Sequence, residues 1–350
     1  EIARKAGIDA MDVLAGAGVM QGPRNILSKG YTGAPVGITV EGANILTRTL
    51  MIFGQGATRC HPYALKVVHA VDDNDVPAFR KSLCGWMLHF VLGILRTGVR
   101  SLTRGWTTSI PKVAPETKTY YRRLGWAAAH FGTLTDLAMF TVGGKLKSRQ
   151  MLTGRYADAV AWMLLGFSAL RRFEAEGRRK EDLPLVNYAL SKALSEVQTA
   201  FEGIYANFEA PVLGLLMRTV GLSMLRINPL GHAPSDAVAR KAARTLQSYG
   251  DQFNRLTEGV FVDHEDAPGL GQLIHAFRLT TEAQPTVDSI ITAQRSKQLP
   301  RGAINESIAA QAVTLGVITQ TAADRLSLAH AAKRKAIEVD VFAADEYYRD

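Results

Sequence analysis

Residues 183–208 carry the sequence LPLVNYALSKALSEVQTAFEGIYANF, and this stretch decides the fold class. Its apolar residues recur mostly three or four positions apart, which places them along one stripe of a helix surface. The stripe consists of Leu185, Tyr188, Ala189, Leu194, Val197, Phe201, Ile204, Tyr205 and Phe208. The stretch is therefore predicted to be a long amphipathic helix with one buried face.

Comparable amphipathic stretches lie on both sides of this segment, separated by short stretches rich in helix breakers. Before them, residues 1–14 indicate the end of another amphipathic helix, 15–42 contain too many glycines and prolines for long regular structure, and 43–53 indicate a helix that ends before Gly54. The composition is 47% hydrophobic and 21% charged, which favours a soluble, mostly helical chain. We predict an all-α fold with long helices at about 75–103, 116–142, 146–176 and 182–207 and shorter ones near 235–249, 270–279, 284–297 and 319–337.

The net charge of +9, from 41 Lys and Arg against 32 Asp and Glu, would suit an anionic partner such as nucleic acid, a membrane surface or a phosphorylated small molecule. The basic residues are scattered and interleaved with acids, as expected of solvated helix faces. We therefore expect no nucleic-acid surface. A nucleic-acid-binding protein stays open as an alternative that predicts steeply salt-dependent affinity for DNA or RNA.

The cysteines, tryptophans and apolar stretches indicate an ordinary helical interior. The two cysteines, Cys60 and Cys84, form no disulfide or metal motif, so a reducing compartment is expected.

The longest apolar stretches, 83–95, 157–170 and 210–225, fall short of the about 18 uncharged residues that a transmembrane helix needs. The four tryptophans fall in helical stripes and are predicted to be core residues: Trp86, Trp106, Trp126 and Trp162.

Two histidines stand in conspicuous positions without a metal-ligand pattern. His61 precedes Pro62, and His232 lies in the segment GHAPSD at 231–236. Neither has a second ligand at a helical spacing, so both are predicted to be hydrogen-bonded structural histidines and no metal site is expected.

The segment 12–48 carries the most chemical information, because a glycine-rich bend is followed by an acid, a glycine and a helix. This arrangement presents the Glu41 carboxylate at a helix start, beside Gly42, which leaves the main chain open to a ligand. The apolar neighbours of Glu41 would raise its pKa toward that of a general base, whereas the helix N-terminus would lower it. The residues alone leave the balance open, and they equally allow an ordinary helix cap.

The sequence VEGANILTR at 40–48 resembles the acid-Gly-Thr/Ala-Asn segment of flavin-dependent acyl-CoA dehydrogenases. Further segments resemble the large bacterial form of that family that acts in fatty-acid β-oxidation: 12–42, MIFGQGATRCHPY at 51–63, LTRG at 102–105, EGRRKEDLPLV at 176–186 and GHAPSD at 231–236. The resemblance implies that residues 1–62 end the helical bundle of the catalytic module. Residues 63–350 would then form the appended helical domain of the bacterial enzymes.

The resemblance also implies roles for individual residues. Glu41 would be the catalytic base, its backbone amide would donate to the substrate thioester, and Gly42 would leave room for that thioester. Asp12 stands where the family commonly has Gln, and Ala43 lacks the hydroxyl of the family's Thr, which puts their contacts in doubt. Phe53 stands where some relatives have a substrate-binding Arg, so that role is not transferred. Flavin contacts, partly to a neighbouring subunit, would be made by Asp12, Ala15, Gly16, Ala43, Asn44 and Ile45.

The implied activity is oxidation of medium- to long-chain fatty acyl-CoA to trans-2-enoyl-CoA with FAD as cofactor. The family further implies a homodimer that passes electrons to an electron-transferring flavoprotein. We expect a cytoplasmic enzyme whose basic, amphipathic 208–226 region can contact the inner membrane peripherally. The N-terminal helical and central β domains of the family are expected upstream of Glu1, so this segment alone should be inactive. The alternative is a non-catalytic helical interaction module derived from the same family.

Overall fold

The computed structural model describes residues 2–38, 46–265 and 267–347. Helix accounts for 75% of the chain and the described residues contain no strand, which confirms the all-α prediction. The α-helices are α1 Ile2–Leu14, α2 Gly16–Val19, α3 Ser28–Gly33, α4 Gly56–Cys60, α5 Ala64–Asp72, α6 Val76–Leu102, α7 Lys118–Thr141, α8 Gln150–Ala175, α9 Leu183–Ala206, α10 Pro211–Leu216, α11 Leu222–Ile227, α12 Asp236–Leu246, α13 Asp251–Leu256, α14 Leu270–Arg295, α15 Glu306–Thr314, α16 Gln320–Ile337 and α17 Ala344–Tyr347. Two π-helices, Thr47–Gln55 and Met217–Gly221, lie directly before α4 and α11, and four 3₁₀ helices are Ala34–Ile38, Pro115–Thr117, Gly143–Ser148 and Lys180–Asp182.

The chain divides into two compact units. One is continuous and comprises residues 37–245, and the other is bipartite and comprises residues 1–36 and 246–350. This division follows contacts within each unit. The predicted boundary between a catalytic module and an appended domain after residue 62 is a different kind of boundary and stays a prediction.

The core of the 37–245 unit is built mainly by α7, α8 and α9. Its fully buried side chains include Trp126, Tyr156, Leu190 and Phe201, and each stabilises the fold by about 1.5–3 kcal/mol through burial. The predicted stripe on α9 is correct from Leu194 to Phe208. Its first turns are wrong, because Val186 and Leu190 are buried there whereas Tyr188 and Ala189 are exposed.

The bipartite unit packs α14 against α16 around Ile290 and Leu326. The separate helices predicted at 270–279 and 284–297 are one helix, α14, with Pro285 in its interior. Proline usually kinks or ends a helix because it lacks an N–H and crowds the preceding turn. Here the apolar residues on both sides of Pro285, Ala283 and Ile290 among them, belong to one core, and this packing outweighs the local cost.

Arg24 ties the N-terminal part of the bipartite unit to its C-terminal part. Its guanidinium donates to the backbone oxygen of Lys335 at 2.7 Å and pairs with Glu338 at 3.3 Å, while its backbone N–H donates to Asp340 at 3.2 Å. A Cβ at Gly22 would overlap the Asp340 side chain, so this close approach requires a glycine. The two distant segments are therefore held by a network of specific polar contacts.

Helix α6 is long and apolar but contributes no buried residue to the core. It meets α7 through small and polar groups: Thr97 donates to the backbone oxygen of Ala129 at 3.0 Å, and Arg100 to that of Gly125 at 2.7 Å. By length and composition, α6 could cross a membrane. The expected absence of an uncharged stretch of about 18 residues still holds in α6, because the apolar span that gives it this length includes Arg96.

Candidate active site

The predicted catalytic base lies outside the described residues. The same holds for Gly42 and for three of the residues expected to contact the flavin, Ala43, Asn44 and Ile45. Their roles in proton abstraction, thioester binding and flavin contact stay predictions.

The π-helix Thr47–Gln55 is attached to α8 by two contacts. Phe53 is 2% exposed, and its ring stacks on that of Tyr156 with the centroids 4.2 Å apart. Arg48 pairs with both carboxylate oxygens of Asp158, with its Nε 2.6 Å from Oδ1. The predicted end at Gly54 is wrong, because the helix continues as a π-helix and then α4 to Cys60. The segment that directly follows the predicted base is thus anchored by one buried stack and one two-point ion pair.

Asp12, Ala15 and Gly16 lie together around the end of α1 in the bipartite unit. All three are exposed, and Ala15 adopts a left-handed backbone conformation with φ 49° between α1 and α2. A Cβ at Gly16 would meet no atom within 4 Å, so packing alone does not require glycine there.

A buried carboxyl group that the sequence did not single out lies at the centre of an aromatic cluster in the 37–245 unit. The Asp136 side chain is 2% exposed and accepts a hydrogen bond from Trp86 Nε1 at 2.8 Å. His61 Nε2 lies 2.8 Å from Oδ1, without the alignment of a hydrogen bond, and His89 Nε2 lies 3.9 Å from Oδ2. We call Trp86, His61, His89 and Asp136 the Asp136 cluster.

The ligand-type atoms of His61, His89 and Asp136 lie within 4.8 Å of one another, which is close enough to surround one metal ion. However, His61 Nδ1 accepts hydrogen bonds from the backbone amides of Tyr63 at 3.2 Å and Ala64 at 3.0 Å. A neutral imidazole with its lone pair on Nδ1 carries its proton on Nε2 and cannot bind a metal through that atom. The geometry therefore supports the predicted structural role of His61, which caps the start of α5.

Two predictions are wrong: that Trp106 is a core residue and that His232 is a hydrogen-bonded structural histidine. Trp106 is 70% exposed, and the guanidinium of Arg122 lies over its ring at 4.0 Å from the centroid, so it is not a core residue. His232 is exposed and its side chain makes no hydrogen bond to any described residue, so the prediction of a hydrogen-bonded structural histidine does not hold there. Both residues lie in surface loops rather than within helices.

A family model described as acyl-CoA dehydrogenase, C-terminal, bacterial type, matches residues 58–342. The chain belongs to this family. No solved structure matches the chain significantly. The Asp136 cluster, the core of the bipartite unit and, except for Phe53, the core of the 37–245 unit lie within the matched residues, whereas Glu41 lies before them.

The family generally uses FAD. The described residues that were predicted to contact it can therefore be compared with what a flavin site requires. Asp12, Ala15 and Gly16, which lie before the matched residues, are exposed, and the space beside Gly16 is open. Asp12 would also present an anion to a cofactor that is itself anionic at its phosphates. These three residues do not by themselves form a cradle that fits a flavin.

The most strongly shifted histidine of the acyl-CoA dehydrogenase domain is His130 on α7. Burial lowers the pKa of His130 to about 4 and raises the pKa of its partner Tyr205 to about 12. His130 Nε2 lies 2.6 Å from the Tyr205 hydroxyl, and its Nδ1 has no partner among the described residues. Both groups are therefore neutral at pH 7, and the pair joins α7 to α9 as a structural contact.

Proposed function

We propose that this chain is the C-terminal part of an FAD-dependent acyl-CoA dehydrogenase of fatty-acid β-oxidation. Its substrate would be a medium- to long-chain fatty acyl-CoA and its product the trans-2-enoyl-CoA. The observation that carries the proposal is the family match over residues 58–342, together with the segment VEGANILTR at 40–48, a short distance before it.

The proposed role of Glu41 is to remove the α-proton of the acyl thioester. Its carboxylate would take the proton while the backbone N–H of the same residue donates to the thioester oxygen, where negative charge develops. Gly42 would leave space for the thioester, since it has no side chain. The anchoring of the following helix by Arg48 and Phe53 supports this proposal, because a base must be held in register with its substrate.

FAD, when bound, would accept the β-hydrogen as hydride, so that one proton and one hydride leave the substrate together. We further propose a cytoplasmic homodimer with an electron-transferring flavoprotein as its electron acceptor. The resemblance to the family supports the proposed dimer and acceptor.

The test uses the complete enzyme with palmitoyl-CoA and an electron-transferring flavoprotein. The proposal expects formation of trans-2-enoyl-CoA, a much slower reaction in Glu41→Gln, and no change in the matched variant Glu258→Gln, whose residue is exposed. If the complete protein binds no flavin and forms no enoyl-CoA, the non-catalytic interaction module takes the place of the dehydrogenase.

A peripheral membrane contact is proposed for the run of helix from α10 through the second π-helix to α11. Apolar side chains on this run are exposed: Val212, Leu215, Leu216, Val220, Met224 and Ile227. Arg218 adds positive charge that suits an anionic surface. The complete enzyme should sediment with phosphatidylglycerol vesicles at low salt, and failure to do so would remove this proposal.

A further inference from the structure

Two segments that the sequence singled out, LTRG at 102–105 and GHAPSD at 231–236, meet at one cleft in the 37–245 unit. Two adjoining cavities of about 280 and 250 Å³ share Arg123 and His232 as lining residues. Arg104 from the first segment and Arg226 from α11 line the smaller one together with Trp126, and Glu116 is among the residues that line the larger one. We call Arg104, Arg123, Arg226 and His232 the basic cleft.

The charges of the basic cleft are only partly neutralised by the protein. Arg104 has no ion-pair or hydrogen-bond partner for its side chain among the described residues, and Arg123 donates only to the backbone oxygen of Leu230 at 3.3 Å. Arg226 pairs with Glu202 at 3.1 Å. Two guanidinium groups thus line a concave site without an ion-pair partner among the described residues.

The loops that carry Arg104 and His232 are held by hydrogen bonds and close packing. The backbone N–H of Leu230 donates to Gln198 Oε1 at 3.0 Å, and Asn228 Nδ2 donates to the backbone oxygen of Ser101 at 2.7 Å. Gly105 has φ 83° and lies against the backbone of Arg122, a position that no other residue would occupy without strain. The two loops are therefore tied to the core and to each other, so the cleft is formed before any ligand arrives.

We propose that the basic cleft is a binding site for a phosphate group. Guanidinium groups match phosphate geometry with two parallel hydrogen bonds, and several converging on one site favour a multiply charged anion. The phosphate belongs either to a soluble phosphorylated compound or to a lipid headgroup, and both share this chemistry. The inference is independent of the chemistry proposed for Glu41.

The test is calorimetric titration of the complete chain with inorganic pyrophosphate at low salt. Wild type should bind saturably, and Arg104→Gln and Arg123→Gln should each bind about tenfold more weakly, as expected for the loss of one charge-assisted hydrogen bond. The control is Arg171→Gln, which removes the same charge from an exposed position on α8 outside the cleft and should bind like wild type. Arg104→Gln removes no side-chain contact among the described residues, so it should fold like wild type. It therefore tests the proposal even if Arg123→Gln does not fold.

Two further titrations distinguish the sources of the phosphate. Binding of adenosine 3′,5′-bisphosphate that is lost in Arg104→Gln supports a soluble ligand, and binding of phosphatidylglycerol vesicles that is lost in the same variant supports a lipid headgroup. The proposal is overturned if pyrophosphate shows no saturable binding, or if Arg171→Gln weakens binding as much as the cleft variants do.

Discussion

Acidification should destabilise the 37–245 unit through His130. Its pKa is about 4 in the folded protein, against the ordinary value of 6.5, so the folded state disfavours the imidazolium. The stability that this group contributes is fully present above pH 6.5 and is lost as the pH falls from 6.5 to 4, because only the unfolded chain binds the proton in that range. At pH 5 the unfolded imidazole is almost fully protonated and the folded one is mostly neutral, which corresponds to a loss of about 2 kcal/mol relative to pH 7.

The assay is urea denaturation at pH 7 and pH 5, followed by tryptophan fluorescence. All four tryptophans lie between residues 86 and 162, so the signal reports the 37–245 unit alone. The matched variant His130→Gln keeps a polar partner for Tyr205 but does not titrate. Its loss of stability between the two pH values should be smaller than that of wild type by about 2 kcal/mol. Equal losses in the two proteins would refute the reasoning.

Three further perturbations test the packing and the Asp136 cluster. Gly271→Ala should lower the free energy of unfolding by about 1–3 kcal/mol, because the new Cβ would overlap the backbone oxygen of His264. Gly7→Ala, whose Cβ would meet no atom within 4 Å, should raise it by about 0.5–1 kcal/mol. Unfolding is followed by far-UV circular dichroism, and equal effects of the two variants would contradict the packing at Gly271. Trp86→Phe should lower the free energy of unfolding by about 1–3 kcal/mol in urea denaturation, since the Asp136 carboxyl loses its aligned donor; an unchanged midpoint and slope would contradict this. Zinc ions should leave the melting temperature unchanged because of the tautomer in the Asp136 cluster, and a rise on adding zinc would show that the ring can release its Nε2 proton to a metal.

The long helices could be predicted because their signal is local. The predicted helix at 75–103 corresponds to α6 and that at 182–207 to α9, since breakers and apolar spacing mark both ends of each. The sequence predicted two helices in place of α14, because Pro285 is a helix breaker and this signal is local. The packing against α15 and α16 that stabilises the continuous helix comes from residues distant in sequence. The first turns of α9 were misjudged because the apolar residues there occupy both faces, and only tertiary contacts choose between them.

The candidate site divides in the same way. Glu41 could be proposed as the catalytic base from the sequence, because the residues of its motif are contiguous in the chain. The Asp136 cluster could not, because His61 lies in the turn between α4 and α5, His89 on α6 and Asp136 on α7, and only tertiary packing brings them together. The basic cleft is similar: its segments were recognised one by one, and their meeting around Arg123 depends on the loop hydrogen bonds at Leu230 and Asn228.

The most direct test of the proposed dehydrogenase is rapid-mixing absorbance of the complete, flavin-loaded enzyme with palmitoyl-CoA, in wild type and in Glu41→Gln. The variant keeps the size of the side chain but removes the base, and Glu258→Gln serves as the matched control. We predict that wild type and control lose the flavin absorbance rapidly, while Glu41→Gln retains its flavin and reduces it at least about a hundredfold more slowly, within the range expected for loss of a general base. Equal rates of flavin reduction in wild type and Glu41→Gln would contradict the assignment of Glu41.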